Sequence, residues 1–281
     1  MNIRSTDRRP RAGRQYRGLV GEFVDARQRE GQYCFTDAEL AKCSPQSAAA
    51  RRAALGRLRR EGRLVRPLPR HPFFVIVPHE HYSMGAPPLD WYLDPLMRFL
   101  GVPDYYVGLL TAAQWHGASH FAVQETQVVV PRQLRPIKVG RERIRFVTKL
   151  AAGRTAVDVR NLESGAVRVS TPEATAVDLV RYPDVSGGFN MIAAALTELA
   201  PRLRPQELLK AAIQEDDVAT SQRLGWLLDH VGAKHRTAPL ARWITQQRPR
   251  TRQLDPRSPI ERTPLDKRWR LWLNTKVEAS L

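Results

Sequence analysis

Cysteine is scarce in this sequence: Cys34 and Cys43 are the only two in 281 residues. A disulfide framework and a four-cysteine zinc site are both excluded, and a reducing compartment, the cytoplasm, is the expected location. Long apolar runs are missing too. None approaches the roughly 20 residues that a membrane-spanning helix needs, so no membrane partner is expected. The first eighteen residues carry charge without an apolar segment, which does not make a secretory signal. Acidic residues are in short supply: 28 Asp plus Glu stand against 45 Lys plus Arg, a formal net charge of +17. A coding sequence biased towards GC, in which arginine replaces lysine, would account for part of an arginine-rich composition. The remainder costs self-repulsion that a polyanion relieves, and nucleic acid is the first candidate.

Assembled chemistry is also lacking. Gly18 and Gly21 fall within a helical pattern, and Gly187-Gly188 precede no Lys-Ser/Thr pair, so no phosphate-binding loop is present. His116 and His120 have the spacing of a zinc peptidase pair, but Gly-Ala-Ser stands between them and no glutamate does. A core histidine followed by a turn histidine is the simpler reading. His79-Glu80-His81 lies in a segment without pattern and reads as solvated. Asp158 and Glu163 in a β-rich block lack the E-x-K of a metal nuclease. Glu173 and Asp178 look like an acid pair, yet Glu173 sits at a helix N-terminus, where a carboxylate suits the dipole. No enzyme activity, no metal and no cofactor are expected.

What is present is punctuation. Residues 1–14 hold five arginines and no apolar pattern, and read as a flexible basic arm. From Tyr16, the residues Leu19, Val20, Phe23 and Val24 share one helical stripe, which Gly31 stops. A short strand at Tyr33–Phe35 follows. Thr36 then caps a helix over Asp37–Lys42, with Glu39 closing a capping box. Ser44-Pro45 starts a third helix, with Ser44 as cap, running to Glu61 and stopped at Gly62. The stretch 64–77 holds two apolar segments around Pro67, Pro69 and Pro72, a hairpin with Arg66 and Arg70 near its tip. Residues 81–90, with Pro87-Pro88, read as a linker. Beyond it come helices at Trp91–Leu100 and Tyr105–His116, then strands at Gln127–Val130, Ile137–Val147, Ala156–Val159 and Ala166–Val169. A helix over Ala174–Tyr182 follows, started by Thr171-Pro172-Glu173, with further helices near 188–199, 205–214, 218–230 and 239–246. The expected architecture is α+β: a winged helix-turn-helix over 15–80, then a larger mixed domain over 91–281.

Helix, strand, two-helix turn and basic hairpin are the parts of a winged helix, whose third helix enters the major groove. Leu55 and Leu58 give the third helix a narrow inward stripe, while its other sides carry small residues and five arginines. Small residues let the backbone approach the groove, and arginine forks to guanine or neutralises phosphate. Gln46 and Ser47 are placed at base edges, Arg51 and Arg52 at base or phosphate, Arg57 at the backbone, and Arg66 and Arg70 on the wing. Residues 1–80 hold 17 basic and 8 acidic residues, so +9 of the +17 lies in under a third of the chain. Alternating Arg141, Arg143 and Arg145 on a predicted strand, with Ile144 and Phe146 opposite, suggest a second basic face or a charge-protected edge strand.

The larger region resembles the AbiEi family of antitoxins from type IV toxin–antitoxin (abortive infection, phage defence) systems. The resemblance rests on Tyr105-Tyr106-Val107 through Ala112-Ala113-Gln114-Trp115-His116-Gly117-Ala118, on Gln124, Gln127-Val128-Val129, Ile137 and Ile144-Arg145-Phe146. It continues through Val169-Ser170-Thr171-Pro172-Glu173-Ala174-Thr175-Ala176-Val177-Asp178-Leu179-Val180, then Gly187-Gly188, Gln222-Arg223-Leu224-Gly225-Trp226-Leu227-Leu228 and Arg268-Trp269-Arg270-Leu271-Trp272-Leu273-Asn274. Their order over about 105–275 is specific, though no single piece is. It implies a repressor that binds repeats in its own promoter as double-stranded DNA. It also implies a C-terminal domain that counters a nucleotidyltransferase-like toxin, generally without a stable complex. The alternative is a plain winged-helix regulator whose second domain senses a ligand or binds protein.

Overall fold

The computed structural model describes residues 20–118, 124–162 and 165–278. The 1–14 arm, Tyr16, Leu19, His120 and Glu163 lie outside the described residues. Contacts divide the chain into two compact units. One extends to Phe99 and includes Ile137–Glu142 and Leu162–Gly165; the other holds Leu100–Pro136, Arg143–Asn161 and the chain from Ala166.

In the first unit, α1 (Val20–Arg29), β1 (Cys34–Thr36), α2 (Asp37–Cys43), α3 (Ala48–Arg60), β2 (Leu64–Val65) and β3 (Phe73–Ile76) follow in turn. The strands form an antiparallel sheet in the order β1-β3-β2, with Phe35 opposite Phe74 and Val65 opposite Val75. Apolar residues recur at helical spacing on α1 and α3 and therefore meet over one small core. Val20, Phe23, Val24, Leu40, Leu55 and Leu58 pack there with Phe35, Phe74 and Ile76 of the sheet. Phe35 stacks on Phe74 at 5.4 Å and meets Phe23 edge-on at 5.2 Å. The capping box is formed in full: Glu39 N–H donates to Thr36 Oγ1 at 3.2 Å, and Thr36 N–H to Glu39 Oε2 at 2.7 Å.

Segment 81–90 is built into this unit. Trp91 beyond it packs on Tyr33 at 4.3 Å, and Phe99, ending α4 (Leu93–Phe99), packs on Phe73 at 5.1 Å. Aromatic contacts, which the Pro-rich composition does not reveal, thus carry the unit to Phe99.

The second unit begins with β4 (Tyr106–Val107), α5 (Leu109–Trp115) and β5 (Thr126–Val130). The expected helix at Tyr105–His116 therefore starts late. Tyr106 and Val107 pair with Val129 and Val128, and Gly108 breaks the chain between strand and helix. A Cβ at Gly108 would lie 2.8 Å from Val129. The expected single strand Ile137–Val147 is two, β6 (Ile137–Val139) and β7 (Glu142–Thr148), separated at Gly140. Gly140 has φ +60, and a Cβ there would stand 2.3 Å from the Met84 carbonyl, within the first unit. After β8 (Val157–Leu162) and β9 (Gly165–Ser170), the strands of the second unit lie in the order β7-β5-β4-β9-β8.

Five helices follow: α6 (Pro172–Arg181), α7 (Gly188–Leu199), α8 (Pro205–Glu215), α9 (Val218–His230) and α10 (Ala238–Gln246). Every residue of α6 from Glu173 to Val180 is buried. It is the central helix of this core, so its polar members must find partners inside. Short strands β10 (Arg252–Gln253), β11 (Leu265–Asp266) and β12 (Leu271–Trp272) end the chain's regular structure. With ten helices and three sheets among the described residues, the fold is mixed α+β.

Candidate nucleic-acid interface

Helix α3 starts later than its sequence suggests. Its N-cap is Ser47, whose Oγ accepts from Ala50 N–H at 3.2 Å, rather than Ser44. Ser44 instead ends α2, where its backbone N–H donates to the Leu40 carbonyl. Two serines three apart offer equivalent local signals, and the turn between α2 and α3 needs Ser44 to Gln46. Gly62, with φ +74, follows the last turn as the glycine predicts.

Burial of Ala54, Leu55 and Leu58 fixes which way α3 faces. Ala49, Ala53 and Gly56 then lie along the opposite side, with Arg52 and Arg60 beside them. A Cβ added at Gly56 would meet open space. Arg52 and Arg59 are exposed and, among the described residues, meet no carboxylate. Arg60 is exposed with its Nε 3.4 Å from the Gly56 carbonyl, and Arg57 stands 4.0 Å from Glu61, a loose pair in water. A strip of small residues walled by guanidinium groups is thus held outward by a leucine-anchored back.

The other residues expected to touch nucleic acid are placed unequally. Arg51 turns inward: its side chain is 14% exposed, its Nη1 donates to the Gln46 carbonyl at 2.7 Å, and its Nε is 4.0 Å from Asp37. It ties α3 to the turn before it. Gln46 is half-buried and Ser47 is exposed with its hydroxyl occupied by the cap. Arg66 folds back, its Nε donating to the His71 carbonyl at 2.7 Å and its guanidinium lying 5.9 Å from the Phe74 ring centre. Arg70 is exposed on the hairpin loop. Arg59 and Arg60 were not singled out from the sequence, although counting helical angles from Leu55 and Leu58 puts Arg60 opposite the buried stripe.

Arg141 lies in the Gly140 turn of the first unit, not on a strand, its N–H donating to the Met84 carbonyl at 3.0 Å. Arg143 and Arg145 are exposed on β7 of the second unit, where Ile144 points inward; Arg143 pairs with Glu125 at 2.8 Å.

In the second unit several polar residues of the motifs quoted above point inward. Asp178, fully buried on α6, accepts from the Tyr106 hydroxyl at 2.7 Å and from Lys149 Nζ at 2.8 Å. Burial and the Asp178 carboxylate push the Tyr106 hydroxyl well above the ordinary tyrosine range. Burial pulls Lys149 down, but Asp178 and Glu215 outweigh it and hold the ammonium above its ordinary value. Glu173, 1% exposed, accepts from the Arg204 backbone N–H at 2.9 Å and so ties α6 to the start of α8. His116 is a core histidine, its Nε2 2.7 Å from the Ser170 carbonyl, and burial lowers its pKa. Gln222 Nε2 donates to the Trp269 carbonyl at 2.8 Å. A Cβ at Gly225 would lie 2.2 Å from the Trp269 ring, so only glycine admits that indole.

Residues 106–230 match the family model described as the AbiEi antitoxin C-terminal domain. The match spans 125 of the 281 residues, and an antitoxin role is what that domain suggests. The matched AbiEi segment spans β4 to the end of α9, and its Gln222 and Gly225 grip Trp269 beyond it. The crystal structure of the RV2827C protein from Mycobacterium tuberculosis is similar with a TM-score of 0.62, at 16% identity over 92% of each chain. That likeness is one of fold. No curated protein matches the chain. Among the described residues, no helix is long and apolar enough to cross a membrane.

Proposed function

We propose that this AbiEi protein is an autoregulating antitoxin. Its first unit is a winged helix that binds double-stranded DNA in its own promoter and represses the toxin–antitoxin operon. Its second unit counteracts a nucleotidyltransferase-like toxin, without a stable complex being required. The observation that carries the DNA half is the outward side of α3. Ala49, Ala53 and Gly56 leave room for the backbone to approach a groove floor, while Arg52, Arg59 and Arg60 stand where bases and phosphates would lie. Arg57 and Arg70 add phosphate contacts at the end of the helix and on the wing. Ser47 and Gln46 work from the helix start, while Arg51 and Arg66 hold the frame. The antitoxin half, and the toxin's class, rest on the AbiEi domain. No catalytic step is assigned, and the site of action is the cytoplasm.

The test is binding of the intact chain to the DNA upstream of its own coding sequence. Affinity falls steeply with salt, with a slope that reflects about 5–8 phosphate contacts. Binding that ignores both salt and sequence would remove the repressor reading.

A further inference from the structure

Within the second unit, α6, α8 and the loop leaving β7 line an open-sided cavity of about 360 Å³. Charge lies beneath it. Lys149 Nζ is 2.8 Å from Asp178 and 2.6 Å from Glu215, with the three side chains 10%, 0% and 7% exposed. Removing such ions from water is costly, and packed apolar residues commonly serve a fold as well or better. A buried ionic network beside a cavity marks a candidate ligand site. The network also braces the three elements that form the walls.

The walls define the ligand. Ala174, Val177 and Ala211 give an apolar side, and Tyr182 gives a ring. Leu150 at the lining is 87% exposed, an apolar lip with nothing to cover it among the described residues. Lys149 is matched by Asp178 and Glu215, and Arg181 by Glu215 and Asp217. Arg154, also in the lining, is exposed and meets no carboxylate among the described residues. The wall therefore presents one unanswered guanidinium over an otherwise matched set of charges.

We propose that this cavity binds a small organic monoanion, a carboxylate carrying an apolar or aromatic body. The carboxylate forks onto Arg154, as planar guanidinium favours. The body lies on the alanine–valine wall and against Tyr182, under Leu150. A bare anion forfeits the apolar contact, and a neutral molecule leaves Arg154 unanswered. The cavity's size is at the lower end of the roughly 300–1,000 Å³ of small-molecule sites. Such a site gives the antitoxin unit an input, and it stands whether or not the first unit reads a promoter.

The experiment is calorimetry and thermal denaturation of the intact chain with hexanoate, phenylacetate and indole-3-acetate. The neutral 2-phenylethanol and inorganic phosphate serve as contrasts. At least one carboxylate binds with Kd at or below about 1 mM and raises Tm, while 2-phenylethanol and phosphate bind about tenfold more weakly or worse. Arg154→Ala weakens the carboxylate about tenfold or more, the loss of a charged hydrogen-bonded pair, and Arg154→Lys restores part of it. Because Arg154 is exposed, the ligand-free Tm of both variants matches the parent. Silence of all three carboxylates up to about 10 mM, equal binding of phenylacetate and its alcohol, or binding that survives Arg154→Ala would each overturn the site.

Discussion

The two units use charge in opposite ways. On α3 of the first, arginines stand in water and the helix is anchored by only Ala54, Leu55 and Leu58. In the second, Lys149, Asp178 and Glu215 are almost wholly buried and answer one another, and Glu173 meets the Arg204 backbone and side chain through one carboxylate oxygen. Exposed cations over a plain apolar back suit a partner that is itself a polyanion. Buried polar groups paired across elements suit a fold that needs particular elements locked together. The buried polar residues of the family-matched segment therefore act mainly as struts of the second unit, whereas the outward arginines of α3 support little of the first unit's fold.

The largest effects are expected at the struts. Trp269→Ala should cost about 3–5 kcal/mol, the loss of a large aromatic from a site that cannot collapse around it. Urea denaturation of the intact chain measures it, and an unchanged midpoint would mean the clamp of Gln222 and Gly225 on Trp269 is idle. Lys149→Ala should fall in the same range of about 3–5 kcal/mol, because Asp178 and Glu215 lose their shared cation. A cost under about 1 kcal/mol, that of an exposed pair, would erase the contrast between units.

A finer cut runs within α3. Arg51→Ala should destabilise the first unit by about 1–2 kcal/mol, since it removes a hydrogen bond to the Gln46 carbonyl from a charged, inward side chain. Arg52→Ala should leave the melting curve in place and weaken operator binding. The reverse pattern, measured by calorimetry beside a mobility-shift assay, would invert the assignment of the two neighbours. The smallest expected effect is chemical. Burial pushes the Cys34 thiol up to about 12, against the lowering influence of Arg27. At pH 8 folded protein should therefore keep Cys34 almost unmodified by Ellman's reagent, whereas unfolding exposes an ordinary thiol of pKa about 8.5. In a Cys43→Ser background, equal rates in the folded and unfolded chain would show that the fold does not shield Cys34.

Local signals carried much of the first unit. The Thr36–Glu39 capping box, Gly62 and the proline-spaced hairpin are readable because each depends on neighbours within a few residues. Ser44 and Ser47 both precede helix-forming residues, and only the seating of α3 against α1 and β2 chooses Ser47 as the cap. Arg51 and Arg52 look alike in sequence; the inward turn of Arg51 is set by Asp37 and Gln46. In the second unit the helices from 188 onward announce themselves by period, but Tyr106–Val107 resembles helix in sequence because its partners, Val128 and Val129, come from a distant strand. The Lys149–Asp178–Glu215 network was illegible for the same reason: its members come from the end of β7, from α6 and from α8. Arg141 looked like a strand residue until the Gly140 turn separated it from Arg143.

The central claim is that α3 reads DNA while the AbiEi unit acts apart from it. Arg52→Glu/Arg60→Glu in the intact chain puts two carboxylates on the outward side of α3 without touching its buried residues. Promoter-reporter and growth-rescue assays, run on cells that express the partner toxin, measure the two activities side by side. The account predicts full derepression of the reporter with rescue retained, at unchanged protein level and melting temperature. Repression that persists in the folded double variant would contradict it.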